Sequence, residues 1–210
     1  MLKLFYSPNA CSLGAHIALA EAGADYQAVR LDLKAGDQRK PDYLALNPKG
    51  RVPALATGDG IITENPAILN WIAESFPKAQ LKPDDAFAYA QMQSFNLYLA
   101  STVHVTFAHL FRTERWADSD SARSEVKAKV PSSLASQWTL IEDRLADGRT
   151  WVCGEQYTVA DPYLHVFSRW LERDGAGGSA AMPLTRAHRA RMQERAAVKA
   201  VLAEEGLAPV

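Results

Sequence analysis

Cysteine is scarce in this sequence: two residues, Cys11 and Cys153, among 210. That excludes a disulfide scaffold and fits a reducing compartment. An excess of charge of either sign is missing too. The chain has 23 Lys and Arg against 24 Asp and Glu, a net charge of -1, and the balance holds on both sides of Phe76. A chain that works by neutralising phosphates would be basic, so composition argues against nucleic-acid binding. No apolar run approaches the roughly 20 residues of a membrane helix. The opening Met1-Leu2-Lys3-Leu4-Phe5-Tyr6 stops at Ser7-Pro8-Asn9, well before the roughly 7–15 apolar residues of a secretory signal. The expected location is therefore the cytoplasm. Internal repeats are absent, as is the GxSxG of a serine hydrolase. Gly175-Ala176-Gly177-Gly178 lacks the preceding strand and following Lys-Ser/Thr of a phosphate cradle.

What remains is an ordinary globular balance, 48% hydrophobic and 22% charged, which excludes wholesale disorder and rod-like repeats. Up to Phe76, strand and helix signals alternate. Leu2 to Tyr6 reads as a strand, Ser12 to Ala22 as a helix stopped by Gly23, and Tyr26 to Leu31 as a second strand. A polar stretch from Asp32 to Pro41 connects onward. Val52 to Ala56 and Ile61 to Thr63 flank Thr57-Gly58-Asp59-Gly60, a hairpin turn. Asn65 as cap and Pro66 in the first turn start a helix with an Ile68, Leu69, Ile72, Ala73 and Phe76 stripe. Residues 77–85, with two prolines and four charges, read as a linker with little to bury. Beyond them strand signals vanish. Met92, Phe95, Leu99, Val103, Phe107 and Leu110 predict one long helix. Another follows over Ala117 to Ala146, kinked or split at Pro131, and a third over Thr158 to Glu172. Arg173 to Met182 reads as a loop, and two shorter helices end the chain. The expected fold is α/β plus all-α, a βαβ-ββα domain over 1–76 and a helical domain over 86–210.

Four places carry chemistry or its bland equivalent. Cys11 follows a strand and opens a helix, where partial positive charge and free N–H groups ease thiol ionisation. Position alone leaves an inert buried cysteine equally open. Cys153 has no such setting and reads as structural. Val52-Pro53 sits at a strand edge. If the bond is cis, the Val52 backbone faces outward and can pair with a peptide-like ligand; a trans edge proline is the ordinary alternative. Glu64-Asn65 is either a helix start alone or a site for a ligand's ammonium and carboxylate groups. His104 and His109 are five residues apart, poor spacing for a shared face, so no metal is expected. His16, His165 and His188 read as core or surface residues. Thr158-Val159-Ala160-Asp161 is a capping box with Asp in the last place, and structural.

Taken together, these residues resemble the cytosolic glutathione S-transferases, most closely the bacterial beta class, over essentially the whole chain. The likeness rests on Phe5 to Leu13, on Asn47-Pro48-Lys49-Gly50-Arg51-Val52-Pro53-Ala54-Leu55, on Thr63-Glu64-Asn65-Pro66-Ala67-Ile68, and on Trp151-Val152-Cys153-Gly154 with Thr158 to Asp161. Cys11 in the first block points to the beta class. The resemblance implies a thioredoxin-like N-terminal domain, a helical C-terminal domain, a homodimer, and glutathione as co-substrate without metal. It implies a cis Val52-Pro53 bond, with Val52 pairing to the cysteinyl backbone of glutathione and Glu64 and Asn65 holding the γ-glutamyl end. Cys11 and His104 become the catalytic candidates, with Ser12 and Lys34 as further glutathione contacts. Tyr6 falls near the catalytic tyrosine of other classes and is not the main sulfur partner here. Leu97 and Val105 stand where beta-class members often carry Asn and Lys. The expected activity is conjugation of glutathione to apolar electrophiles. Glutathione-dependent thiol–disulfide reduction through Cys11, or glutathione binding without catalysis, are the alternatives.

Overall fold

A computed structural model describes residues 1–210. Leu2–Tyr6 forms β1 and Tyr26–Arg30 forms β2, joined by helix α1, Leu13–Glu21. A short helix, α2 (Pro41–Leu46), precedes β3 (Ala54–Ala56), β4 (Ile61–Thr63) and α3 (Asn65–Ser75). The sheet runs β2-β1-β3-β4. β1 is parallel to β2, in register at Phe5 with Val29. It is antiparallel to β3, with Leu4 opposite Leu55, and β3 is antiparallel to β4. The order is the βαβ-ββα read from the sequence, with α2 added in the connection. A single buried residue, Tyr43, anchors α2, so its apolar periodicity is too weak to stand out.

The helical part begins with α4 (Ala86–Tyr98), capped by Asp85, whose carboxylate accepts from the Ala88 N–H at 2.8 Å. One turn of π-helix, Leu99–Val103, joins it to α5, His104–Phe111. The single long helix of the sequence reading is thus two α-helices continuous through a wider turn. Phe95, Leu99, Val103 and Phe107 are spaced four apart three times running. In a 3.6-residue helix that stripe drifts off its face, and the wider turn absorbs the drift. All four are buried. The 26-residue α6 (Asp120–Leu145) is one helix with Pro131 inside it, so the sequence is not split there. Helices α7 (Ala160–Trp170), α8 (Pro183–Glu194) and α9 (Ala196–Glu204) complete the chain. No helix is long and apolar enough to cross a membrane.

Every residue of α7 is buried, which makes it the central post of the molecule. Its start is the Thr158–Asp161 box. Asp161 Oδ2 accepts from the Thr158 N–H at 2.8 Å, and the Ala160 N–H donates to Thr158 Oγ1 at 3.3 Å. The other Asp161 oxygen takes the Val152 N–H at 2.9 Å and His188 Nε2 at 3.0 Å. One carboxylate therefore satisfies donors from three segments. A core of 39 residues unites Leu4, Leu13, Ile17, Leu55 and Ile72 with Phe107, Trp138 and Phe167, so the sheet and the helical bundle share one apolar interior. A second cluster of Leu31, Tyr43, Val52 and Ala54 packs under α2. The segment over 77–85 is less idle than its composition suggests. Leu81 is buried, and its carbonyl accepts from the Val159 N–H at 2.9 Å.

Candidate active site

The turn after β1 folds on itself before α1 starts. The Ala10 N–H returns to the Ser7 carbonyl at 3.0 Å, and Asn9 adopts the left-handed conformation, φ 56, that Asn tolerates. Ser12 is fully buried, and its hydroxyl accepts from the Ser7 N–H at 3.2 Å and donates to the Ser7 carbonyl at 3.3 Å. Both roles serve the turn, so Ser12 braces the loop instead of lining an opening. Cys11 lies in this turn, two residues ahead of Leu13 and outside the helix proper. Its Sγ donates to the Val52 carbonyl at 3.2 Å. Burial pushes the thiol up to about 11; the Arg112 charge and an Asn65 hydrogen bond pull the other way without prevailing, and Glu64 adds to the rise. The eased ionisation expected of a helix-opening cysteine is therefore reversed, because desolvation of a thiolate costs more here than nearby positive charge returns.

The cis Val52-Pro53 bond sets the edge facing that turn. The Val52 carbonyl is taken by Cys11, and no intramolecular hydrogen bond engages the Val52 N–H. Arg51, just upstream, has its carbonyl fixed by Tyr43 Oη at 2.6 Å and Asn47 Nδ2 at 2.8 Å. Gly50 makes the approach to this edge with φ +59, and a Cβ there would sit 3.1 Å from the Gln38 carbonyl oxygen. Tyr43 and Asn47 were not singled out from the sequence. Asn47 lies in the quoted block, but its hydrogen bond to Arg51 is visible only once the loop is folded.

Glu64 occupies the cap position of α3 with φ 72 and ψ 124, a sparsely populated conformation for a residue with a side chain. Its carboxylate pairs with Lys49 Nζ at 2.5 Å, and the same ammonium donates to Thr63 Oγ1 at 2.9 Å. Asn65 is the first helical residue and not the cap. Its Nδ2 donates to the Cys11 carbonyl at 3.0 Å, and its buried Oδ1 has no partner. The expected Asn65 cap is replaced by a strut between α3 and the cysteine turn. Lys34 is exposed; its N–H closes a turn onto Asp32 at 2.8 Å, and its ammonium has no ion pair.

His104 opens α5 with its ring against Phe167 and Trp170, centroids 5.4 and 5.5 Å away. Burial first, then the Arg112 and Arg51 charges, lower it to about 4. The Arg112 and Glu64 charges act on both Cys11 and His104, so the two candidates share one electrostatic environment. Leu97 is 56% exposed and Val105 38% exposed. Tyr6 is buried and tilted against His16, 4.8 Å between centroids, away from the cysteine's role. Cys153 accepts from Thr158 Oγ1 at 3.4 Å, a structural setting. The turn itself is gripped from the helical side: Trp170 Nε1 and Arg173 Nη2 both donate to the Asn9 carbonyl, at 3.1 and 2.8 Å.

Residues 1–74 match the family model described as the glutathione S-transferase N-terminal domain. The chain is 36% identical to glutathione S-transferase GstA of Escherichia coli O157:H7, with 98% of this chain and 100% of that one covered. A glutathione transferase homologue from Sulfitobacter, solved with bound glutathione, superposes with a TM-score of 0.92 at 44% identity, covering 99% of each chain. A bacterial beta class glutathione S-transferase from Sphingomonas chungbukensis gives 0.85 at 37% identity, over 98% of this chain and 100% of that one.

Proposed function

The chain belongs to the glutathione S-transferase family, and from that premise we propose that it transfers glutathione to a small electrophile at the Cys11–Val52–Glu64 site. The observation that carries the reading is the arrangement around Val52: a cis peptide bond, a free N–H, and a carbonyl held only by the Cys11 thiol. A peptide backbone laid along that edge takes both Val52 groups as an added strand does. The cysteinyl N–H of glutathione then replaces Cys11 at the Val52 carbonyl. The released thiol turns its S–H to the sulfur of the same cysteinyl residue. Glu64 receives the γ-glutamyl ammonium, and the start of α3 at Asn65 receives its carboxylate. Lys34, exposed and unpaired, is within the same proposal a contact for the glycyl end. His104 lines the site as a neutral imidazole.

In this reading Cys11 is a hydrogen-bond donor and not the attacking group. The thiol of glutathione loses its proton to solvent. Its thiolate, stabilised by the Cys11 S–H, forms a carbon–sulfur bond as the electrophile's leaving group departs with its electron pair. Thiol–disulfide reduction through Cys11 requires its thiolate, which a pKa of about 11 leaves sparse at neutral pH. We further propose that the enzyme is a cytoplasmic homodimer, with an N-terminal unit over 1–76, a linker over 77–85 and a helical unit over 86–210. Glu64→Gln tests the glutathione assignment. It is expected to raise KM for glutathione about tenfold, the worth of one charge-assisted hydrogen bond, while melting stays near wild type. An unchanged KM with a lowered melting temperature would reduce Glu64 to a helix start.

A further inference from the structure

His104 lies eight residues beyond Asn96 and seven beyond Leu97. Asn96 is fully buried, whereas Leu97 beside it is 56% exposed. In an uninterrupted α-helix a face comes round again after about seven residues, which would align His104 with Leu97 and solvent. The burial pattern shows a longer repeat. Val105 shares the exposure of Leu97, and Val103 shares the burial of Phe95, each pair eight residues apart. The difference comes from the π-helical turn Leu99–Val103, which takes up about one residue more than an α turn. It leaves His104 on the side of Asn96, with its ring on Phe167 and Trp170 of α7, centroids 5.4 and 5.5 Å away. The Trp170 indole N–H in turn holds the carbonyl of Asn9, two residues before Cys11, at 3.1 Å. The phase of this one turn therefore decides whether the imidazole stands by the cysteine loop.

Such turns are rare and gather at functional sites, and this one is tied down from a different helix. Gln137 of α6 reaches both of its ends. Its carbonyl accepts from Tyr98 Oη at 3.1 Å, just before the turn, and its Nε2 donates to Thr106 Oγ1 at 2.7 Å, just after it. Thr106 is buried and donates in turn to the Thr102 carbonyl at 3.1 Å, inside the turn. Leu99 and Val103 are buried as well, so apolar packing holds one side of the turn and the hydrogen-bond chain another. A threonine that bonds four residues back is ordinary in a helix. A glutamine from a neighbouring helix that engages both ends of a π turn has no such local explanation. Tyr98, Thr106 and Gln137 all lie in the helical part, outside the Val52 and Glu64 edge.

We infer that Gln137 and Thr106 are positioning residues for the transfer: they hold the π turn in the phase that sets the His104 ring on Trp170, beside the loop of Cys11. The inference rests on the glutathione placement proposed above and gives His104 its fixed place in it. Thr106→Val keeps the side-chain shape and removes the hydroxyl, while Thr106→Ser keeps the hydroxyl. In proton NMR the His104 ring of the wild type carries ring-current shifts from Phe167 and Trp170. Thr106→Val is expected to move those resonances toward unshifted values and to lower kcat for conjugation of chlorodinitrobenzene about fivefold, the worth of one hydrogen bond. KM for glutathione should stay unchanged, and Thr106→Ser should restore both the resonances and kcat. Gln137→Leu opens the same clamp from α6 and should give the Thr106→Val result, which keeps the test open if Thr106→Val does not fold. Unmoved His104 resonances with a lowered melting temperature would overturn the inference, and so would moved resonances with an unchanged kcat; either leaves the transferase reading standing. Absence of conjugation in the wild type would instead overturn the transferase reading, while moved resonances in Thr106→Val would still show the clamp setting His104.

Discussion

At the scale of single residues, ionisation here is governed by burial more than by neighbouring charge. His104 is the clear case. Burial and the Arg112 and Arg51 charges all disfavour the imidazolium, and the ring is lowered to about 4. His165, fully buried, is lowered too, for the same leading reason. The unfolded chain therefore binds more protons than the folded one as pH falls from about 6.5 toward 4. Stability attached to these rings is fully present above the unfolded value and is lost as pH drops through that window. We expect the His104 ring resonance to titrate near 4 in an NMR pH series, and His104→Gln to flatten part of the stability loss between pH 6.5 and 4. A midpoint near 6.5 would contradict the burial argument. The family resemblance pointed to His104, but its protonation state was not legible in the sequence, because it depends on Phe167 and Trp170 from α7 and on arginines from two other segments. The same holds for Cys11: its position after β1 was readable, while the Val52 carbonyl that receives its thiol is 41 residues away.

Among the elements, legibility followed periodicity. Strands β1 to β4 and helices α1 and α3 fall where alternation, turn residues and Pro-initiated starts put them. Helix α2 was lost because one buried tyrosine makes no stripe. The π-helical turn was lost because three steps of four residues read as an ordinary apolar face. The Thr158–Asp161 box was legible because the motif is local and its chemistry fixed. What could not be read was its reach, since Val152 and His188 come to Asp161 only in the folded chain. Thr158→Ala is expected to cost about 0.5–2 kcal/mol, the range for loss of an N-cap, with KM for glutathione unchanged; Asp161→Ala, which strands the Val152 and Thr158 N–H groups and His188 Nε2, should cost more. Denaturant unfolding checks the order of the two. Lost catalysis at undiminished stability would instead place Thr158 in the site.

On the scale of the whole molecule, the two halves meet through the turn that carries Cys11. Asn9 is held from both ends: its N–H donates to Glu205 Oε2 at 3.0 Å, and its carbonyl accepts from Trp170 and Arg173. Glu205 also takes the buried His16 of α1 at 2.8 Å, and Arg195 grips Glu21 with two hydrogen bonds at 2.5 and 2.8 Å. First and last helices thus fix the loop that carries Cys11, 196 residues upstream of Glu205 in the case of Asn9. This rigidity keeps the thiol beside the Val52 edge, where it can serve as a donor to an incoming sulfur. The most direct test of that role is the apparent pKa of the glutathione thiol, taken from the pH dependence of kcat/KM for conjugation in wild type and Cys11→Ala. The account predicts a wild-type value below the roughly 8.5 of a free thiol and a shift upward in the variant, with conjugation slowed but retained. Identical pH profiles for the two proteins would contradict it.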